Sequence, residues 1–279
     1  MALVTTAQLI AAARACGTGV LAFNVITIEH AQAIAAAAGR TGRPAILQIS
    51  QNAARYHGGL SAIAAATRDI AQRCPARLSL HLDHVDDLDL LRQAPAAGFS
   101  SVMVDASRLP YAANVTTTRD ATAWAHGHGL WVEAELGYVG GKPDAPANAH
   151  AAGVRTDPQE AARYVAETDV DALAVAVGSS HAMAERTAAL DLDLLAAIRD
   201  AVPVPLVLHG SSGVPLEQIR AATGRGMTKI NVGTALNVAF TDAVRVALPA
   251  TADPRRYLAA GREAMTGVVS RLLELLEAP

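Results

Sequence analysis

Short apolar runs alternate along the chain with longer Ala-rich segments. Runs rich in Val, Ile and Leu and bounded by Gly, Pro or polar residues read as strands. Eight such runs stand at residues 19–24, 45–50, 78–83, 101–105, 130–136, 172–177, 205–209 and 228–232. The segments between them, for example 29–38, 59–73, 86–97 and 192–201, have helical composition. Strands that alternate with helices pair in parallel. Eight units in 279 residues favour a single-domain (β/α)8 TIM barrel, although six to eight such units also build a doubly wound open sheet. Residues 140–157 form one long segment without structure-forming periodicity, and it reads as a mobile lid over the site. A helical tail follows Asp253, with a stripe of Val268, Val269, Leu272, Leu273 and Leu276 that suits packing on its own barrel and a subunit contact equally.

The polar residues fall at one place in each unit. The strands end in Asn24, Ser50, Asp83-His84, Asp105, Glu135, Ser179-Ser180-His181, His209-Gly210 and Asn231. In a barrel of this kind the C-terminal strand ends converge on the active site. His84, His181 and His209 follow strands three, six and seven, so they can meet above the barrel mouth. Neutral imidazole is the commonest protein ligand for zinc, and a catalytic zinc keeps three protein ligands and an open position. His126 and His128 precede the fifth strand, at the opposite face, and read as surface histidines. His81 shares a strand face with Asp83 and reads as a supporting group at the barrel top.

The turn His209-Gly210-Ser211-Ser212-Gly213-Val214-Pro215 leads from the seventh strand into a helix that Pro215 suits at its first turn. After the eighth strand, Asn231-Val232-Gly233-Thr234 leads into another helix. Small residues let backbone N–H groups approach an anion, and a helix N-terminus adds positive potential. Paired turns after strands seven and eight are the recurrent phosphate site of TIM barrels.

Composition narrows the remaining classes. Apolar residues make up 51% and aromatics 4%, so the core is built from Ala, Val, Leu and Ile. The net charge is −3 with no basic stripe, which argues against a nucleic-acid partner. Cys16 and Cys74 are far apart and make neither a disulfide framework nor a cysteine zinc site. No charged leader stands at the N-terminus, and the Ala-rich stretch 31–38 is too short to span a bilayer. A cytoplasmic protein without a membrane partner is the expectation. The only lysines are Lys142, in the lid, and Lys229, on the eighth strand and apart from the histidines.

The chain resembles the class II fructose-bisphosphate aldolase family, including its tagatose-bisphosphate branch. The resemblance rests on AFN (22–24), HLDH (81–84), GFSSVMVDAS (98–107), VEAELG (132–137), TDPQEA (156–161), DALAVAVGSSH (171–181), PLVLHGSSG (205–213), KINVGT (229–234) and DPRRYL (253–258). These segments cover nearly the whole chain in order. The resemblance implies Asp83 as the catalytic acid/base that exchanges a proton with the C4 hydroxyl, and His84, His181 and His209 as ligands of a catalytic Zn2+. It implies Asp105 and Glu135 as carboxylates beside the metal that serve an alternative or second metal position. Gly210, Ser212, Asn231 and Thr234 match positions around the first phosphate and the dihydroxyacetone part. Asn24 and Ser50 match positions toward the other end of the substrate, and Arg255 matches an arginine that a neighbouring subunit contributes to the second phosphate. A monovalent cation, Na+ or K+, near the carbonyls of Ala182 and Gly210 and a homodimer or homotetramer are further implications.

Two departures bear on which sugar is taken. Pro143 stands where the family's lid usually carries a glutamate, with Asp144 the nearest carboxylate, and Gly233 stands where the family often has aspartate. The implied activity is reversible cleavage of fructose 1,6-bisphosphate to dihydroxyacetone phosphate and glyceraldehyde 3-phosphate. Alternatives are the same chemistry on tagatose 1,6-bisphosphate or another phosphorylated ketose, and a catalytically silent barrel that assists an aldolase partner. Two lysines away from the histidines leave little room for a Schiff-base route.

Overall fold

The computed structural model describes residues 3–136, 155–183 and 185–276. All eight expected strands form: β1 (Val20–Asn24), β2 (Ala45–Ser50), β3 (Leu78–Val85), β4 (Ser101–Val104), β5 (Trp131–Leu136), β6 (Ala172–Val175), β7 (Leu206–Leu208) and β8 (Met227–Val232). They pair in sequence order, all parallel, and β8 closes onto β1 with Val20 opposite Lys229. Closure removes the open-sheet alternative. Helices α1 (Thr6–Ala15), α2 (Ile28–Thr41), α3 (Gln51–Tyr56), α4 (Ser61–Arg73), α5 (Leu88–Ala97) and α6 (Tyr111–His126) cover the first half. The second half carries α7 (Pro158–Thr168), α8 (Leu192–Ala201), α9 (Leu216–Gly224), α10 (Thr234–Ala247) and α11 (Pro254–Leu275). Pro215 is the N-cap of α9, one position before the helix it was expected to open.

Two kinds of interior result from the period-2 alternation of the strands. Residues facing outward, such as Leu47, Leu80, Leu173 and Ile230, pack beneath the helices in the main apolar layer. Residues facing the lumen change character with height. Near the bottom, Ala22 and Ile46 meet Leu9 and Ile10 of α1, which plugs the N-terminal end of the barrel. Near the top, Gln48, His81, Glu133, Glu135, His209 and Lys229 are all fully buried. Burying that many polar groups is costly unless they satisfy one another, so the upper lumen marks where function outweighs packing.

The tail packs on its own barrel. Met265, Val269, Leu272 and Leu273 of α11 are buried in the main apolar layer, and Arg40 of α2 donates to Glu263 at 3.0 Å. Among the described residues no helix is long and apolar enough to cross a membrane.

Candidate active site

Asp83 and His84 are adjacent on β3, and neighbours on a regular strand point to opposite faces. Here the β3–β4 register shifts between Leu82 and Val85, and His84 has φ +50°. A bulge re-aims side chains next to a site. The left-handed backbone costs a non-glycine residue about 1–2 kcal/mol. In return, Asp83 and His84 both line the same cavity at the C-terminal barrel mouth.

His84, His181 and His209 meet there. One ring nitrogen from each falls within 4.8 Å of the others. The rings stand nearly edge to face, with centroids 4.8 Å apart for His84–His209, 5.3 Å for His84–His181 and 5.6 Å for His181–His209. Two of the three are oriented from behind. His84 Nδ1 donates to Asp105 Oδ2 at 2.8 Å, and His209 Nε2 donates to Glu133 Oε1 at 2.8 Å. Each carboxylate leaves the opposite ring nitrogen to face the cluster, the usual arrangement behind metal-ligating histidines. His209 Nδ1 is buried with no hydrogen-bond partner among the described residues. An orphaned nitrogen in a three-imidazole cluster fits a zinc ion well.

Below the histidines lies a charged network. Lys229 Nζ donates to Glu133 Oε2 and to Asn231 Oδ1, both at 2.8 Å. Lys229 is therefore not apart from the histidines, as its strand position suggested, but one carboxylate away from His209. With its nitrogen held in an ion pair, it is poorly placed to act as a nucleophile. Gln48 Nε2 bridges Asn24 Oδ1 at 2.7 Å and Asp83 Oδ2 at 3.2 Å, while His81 Nε2 faces the other Asp83 oxygen at 3.6 Å. Burial alone would raise the Asp83 carboxyl, but His84, His81 and Lys229 outweigh it and hold Asp83 well below the usual carboxylate range. Burial likewise works against the Glu133 anion, yet Lys229 and His209 bring its pKa down to about 2. His81 is likewise shifted below its ordinary value, by burial first and Lys229 second.

The cavity above Asp83 measures about 380 Å³ and is lined by most of the expected residues, Asn24, Ser50, Asp83, His84, His181, Ala182, Gly210, Ser212, Asn231, Gly233 and Thr234 among them. Gly210 has φ +67°, and a Cβ there would fall 2.5 Å from the Ser180 carbonyl group, so the turn after β7 requires glycine. Ser212 Oγ accepts from the amide of Ala235 in the first turn of α10 at 3.1 Å. That contact joins the β7 and β8 turns into one cradle beneath the N-terminus of α10, suited to an anion. Ala182 also takes a left-handed backbone, φ +60°.

Several expected residues stand elsewhere. Ser211 donates its hydroxyl to the Asn231 carbonyl at 2.5 Å and does not line the cavity. Asp105 sits behind His84, and Glu135 Oε2 lies 3.5 Å from His209 Nδ1. Arg255 is exposed at the start of α11 and pairs with Asp253 at 2.8 Å. The lid, with Lys142, Pro143 and Asp144, lies outside the described residues. His126 and His128 are at the opposite face as expected; His126 contacts Asp171 at 2.9 Å and His128 stacks on Trp124. Sequence reasoning missed Glu133 and Gln48. A signal for the first was present: His81/Asp83, Glu133/Glu135 and Lys229/Asn231 are polar pairs two apart on predicted strands, so each pair shares the lumen face.

The comparisons agree with this geometry. A family model for class II fructose-bisphosphate aldolase matches residues 4–279. The chain is 39% identical over 252 residues to a fructose-bisphosphate aldolase of Geobacillus stearothermophilus, covering 88% of this chain and 87% of that one. Among solved structures it superposes on the YdjI aldolase of Escherichia coli K12 with a TM-score of 0.85 at 28% identity, covering 98% of this chain and 97% of the other. A fructose-bisphosphate aldolase of Campylobacter jejuni gives 0.83 at 23% identity over 99% and 95% of the two chains, a likeness that speaks to the fold. Family, barrel and imidazole cluster point the same way: the chain belongs to the class II fructose-bisphosphate aldolases, zinc-dependent aldehyde-lyases.

Proposed function

We propose that this chain, as one domain spanning residues 1–279, reversibly cleaves a ketose 1,6-bisphosphate, with fructose 1,6-bisphosphate the best-supported substrate. The products are dihydroxyacetone phosphate and glyceraldehyde 3-phosphate. The observation that carries this reading is the imidazole cluster beside the buried Asp83 carboxylate, under a cavity whose far wall is an anion cradle.

His84, His181 and His209 hold the metal. A zinc ion bound there supplies Lewis acidity toward the ketone oxygen as negative charge builds on the dihydroxyacetone half. Asp83 takes the C4 hydroxyl proton as the C3–C4 bond breaks; its buried carboxylate lines the cavity within reach of the substrate. The turns of Gly210–Ser212 and Gly233–Thr234 receive the first phosphate, with Asn231 beside the dihydroxyacetone carbons. Asn24 and Ser50 face the aldehyde half. Asp105 and Glu135 are near enough to the cluster to serve an alternative metal position. The carbonyls of Ala182 and Gly210 suit a monovalent cation, since both residues turn their backbone through the left-handed region.

Assembly as a homo-oligomer completes the reading. α10 is largely apolar yet buries only Leu236, and it leaves Val238 and Val246 exposed. That face suits a second copy, whose Arg255 would reach the distal phosphate. The test is steady-state kinetics over a panel of phosphorylated ketoses, with zinc and with a chelator. Chelator-sensitive cleavage of fructose 1,6-bisphosphate is expected; a preference for tagatose 1,6-bisphosphate would reassign the sugar. Absence of cleavage across the panel in zinc-loaded protein would leave the silent-subunit alternative.

A further inference from the structure

Lys229 is fully buried inside the barrel, and neither metal binding nor phosphate binding uses it. Its ammonium reaches across the lumen from β8 to Glu133 on β5, past the two intervening strands, and along its own strand to Asn231. The second oxygen of Glu133 holds His209. One ammonium thus touches a residue lining the cavity directly and a metal-ligand candidate through a single carboxylate.

Folding alone does not call for this arrangement. Barrel interiors of this type are filled by apolar side chains, as Ala172, Ala174 and Val207 do on the neighbouring strands opposite Glu133, Glu135 and Lys229. Well-packed apolar residues of similar volume commonly stabilise as well as a buried ion pair or better. What the pair does is fix two orientations. Glu133 takes the Nε2–H of His209 and so keeps the lone pair on Nδ1. Without its countercharge, Glu133 would be free to turn toward a metal ion. Lys229 also occupies Asn231 Oδ1, which leaves the NH2 end of that amide as the donor presented to the cavity.

We propose that Lys229 is a positioning residue for aldol cleavage, setting the metal-binding nitrogen of His209 through Glu133 and the donor end of Asn231 directly. The proposal rests on the aldolase reading above.

The test compares wild type, Lys229→Met, Glu133→Gln and the double variant. Each is measured for melting temperature, zinc affinity by chelator competition, and kcat and KM with fructose 1,6-bisphosphate. Lys229→Met is expected to fold, to bind zinc about 10- to 100-fold more weakly, as supporting residues around metal ligands typically do, and to lose kcat more than KM. In the double variant zinc affinity recovers in part, because the stranded carboxylate is gone and the amide oxygen still accepts from His209. Its kcat stays low, because Asn231 has lost its partner. Zinc affinity and kcat unchanged in Lys229→Met would overturn the proposal, as would a fall in kcat that merely tracks melting temperature at constant zinc affinity. Should Lys229→Met not fold, Lys229→Gln decides in its place: weaker zinc binding at native melting temperature supports the role, and unaltered binding refutes it. Wild-type protein that cleaves no ketose bisphosphate sinks the aldolase reading itself, whereas an active wild type with an indifferent Lys229→Met sinks only the lysine's role.

Discussion

His84 Nδ1 and Asp105 Oδ2 stand 2.8 Å apart, and that contact decides which nitrogen of His84 faces the other two imidazoles. Asp105 itself is fixed, since it accepts from the Ser107 hydroxyl at 2.6 Å and the Ser107 amide at 3.2 Å. Removing such a carboxylate typically lowers metal affinity about 10- to 100-fold. Asp105→Ala is therefore expected to fold normally and to bind zinc more weakly by that factor, with activity restored at high zinc. Zinc titration against a chromophoric chelator measures it, and unchanged affinity would show that Asp105 does not orient the ligand.

Asp83 should separate chemistry from metal binding. Asp83→Asn keeps the contact with Gln48 but cannot take a proton. Zinc content is expected to stay at the wild-type level while kcat falls about 100- to 10,000-fold, the usual worth of a positioned acid/base. His181→Ala should do the reverse and lose the metal first. Near-normal turnover in Asp83→Asn would assign the proton transfer to another group.

Gly210→Ala tests the cradle. The left-handed backbone costs about 1–2 kcal/mol for a residue with a Cβ. The new methyl would also press on the Ser180 carbonyl at 2.5 Å, next to His181, and overpacking adds about 1–3 kcal/mol. Urea denaturation should show a loss of stability in that combined range together with weaker zinc binding. A variant as stable as wild type would mean that the turn relaxes freely.

His30 gives a pH dependence of stability. Its Nδ1 accepts from the Thr27 amide at 3.3 Å, and Nε2 faces Asn237 Oδ1 at 3.2 Å, tying α2 to α10. Burial is the main cause that lowers its pKa below 6.5, against smaller opposing effects of Asn237 and Glu29. The unfolded chain therefore takes up a proton near pH 6.5 that the folded chain resists. Stability conferred by neutral His30 is present above that pH and declines as pH falls toward the folded-state pKa. Thermal melts between pH 7 and 5 should decline less steeply in His30→Asn than in wild type. Parallel curves would exclude the ring.

Much of this protein was legible before any coordinates. The eight apolar runs became the eight strands within about two residues at either end, because a strand of Val, Ile and Leu between Gly and Pro has few other low-energy choices. The C-terminal polar residues were legible for the same reason: in a parallel barrel every strand presents its end to one face, so Asp83, His84, His181 and His209 had to be neighbours. What remained hidden depended on contacts across the lumen. Strand periodicity puts Glu133 and Lys229 on inner faces, but only closure of the barrel brings them to 2.8 Å and links them to His209. Nor does the sequence announce the bulge that turns Asp83 and His84 to one side, since a register shift arises from the fit of two strands and not from either alone. Local composition determined the elements and their order; the pairing of charges and the aim of each ring belong to tertiary structure, where distances between residues far apart in the chain first acquire values.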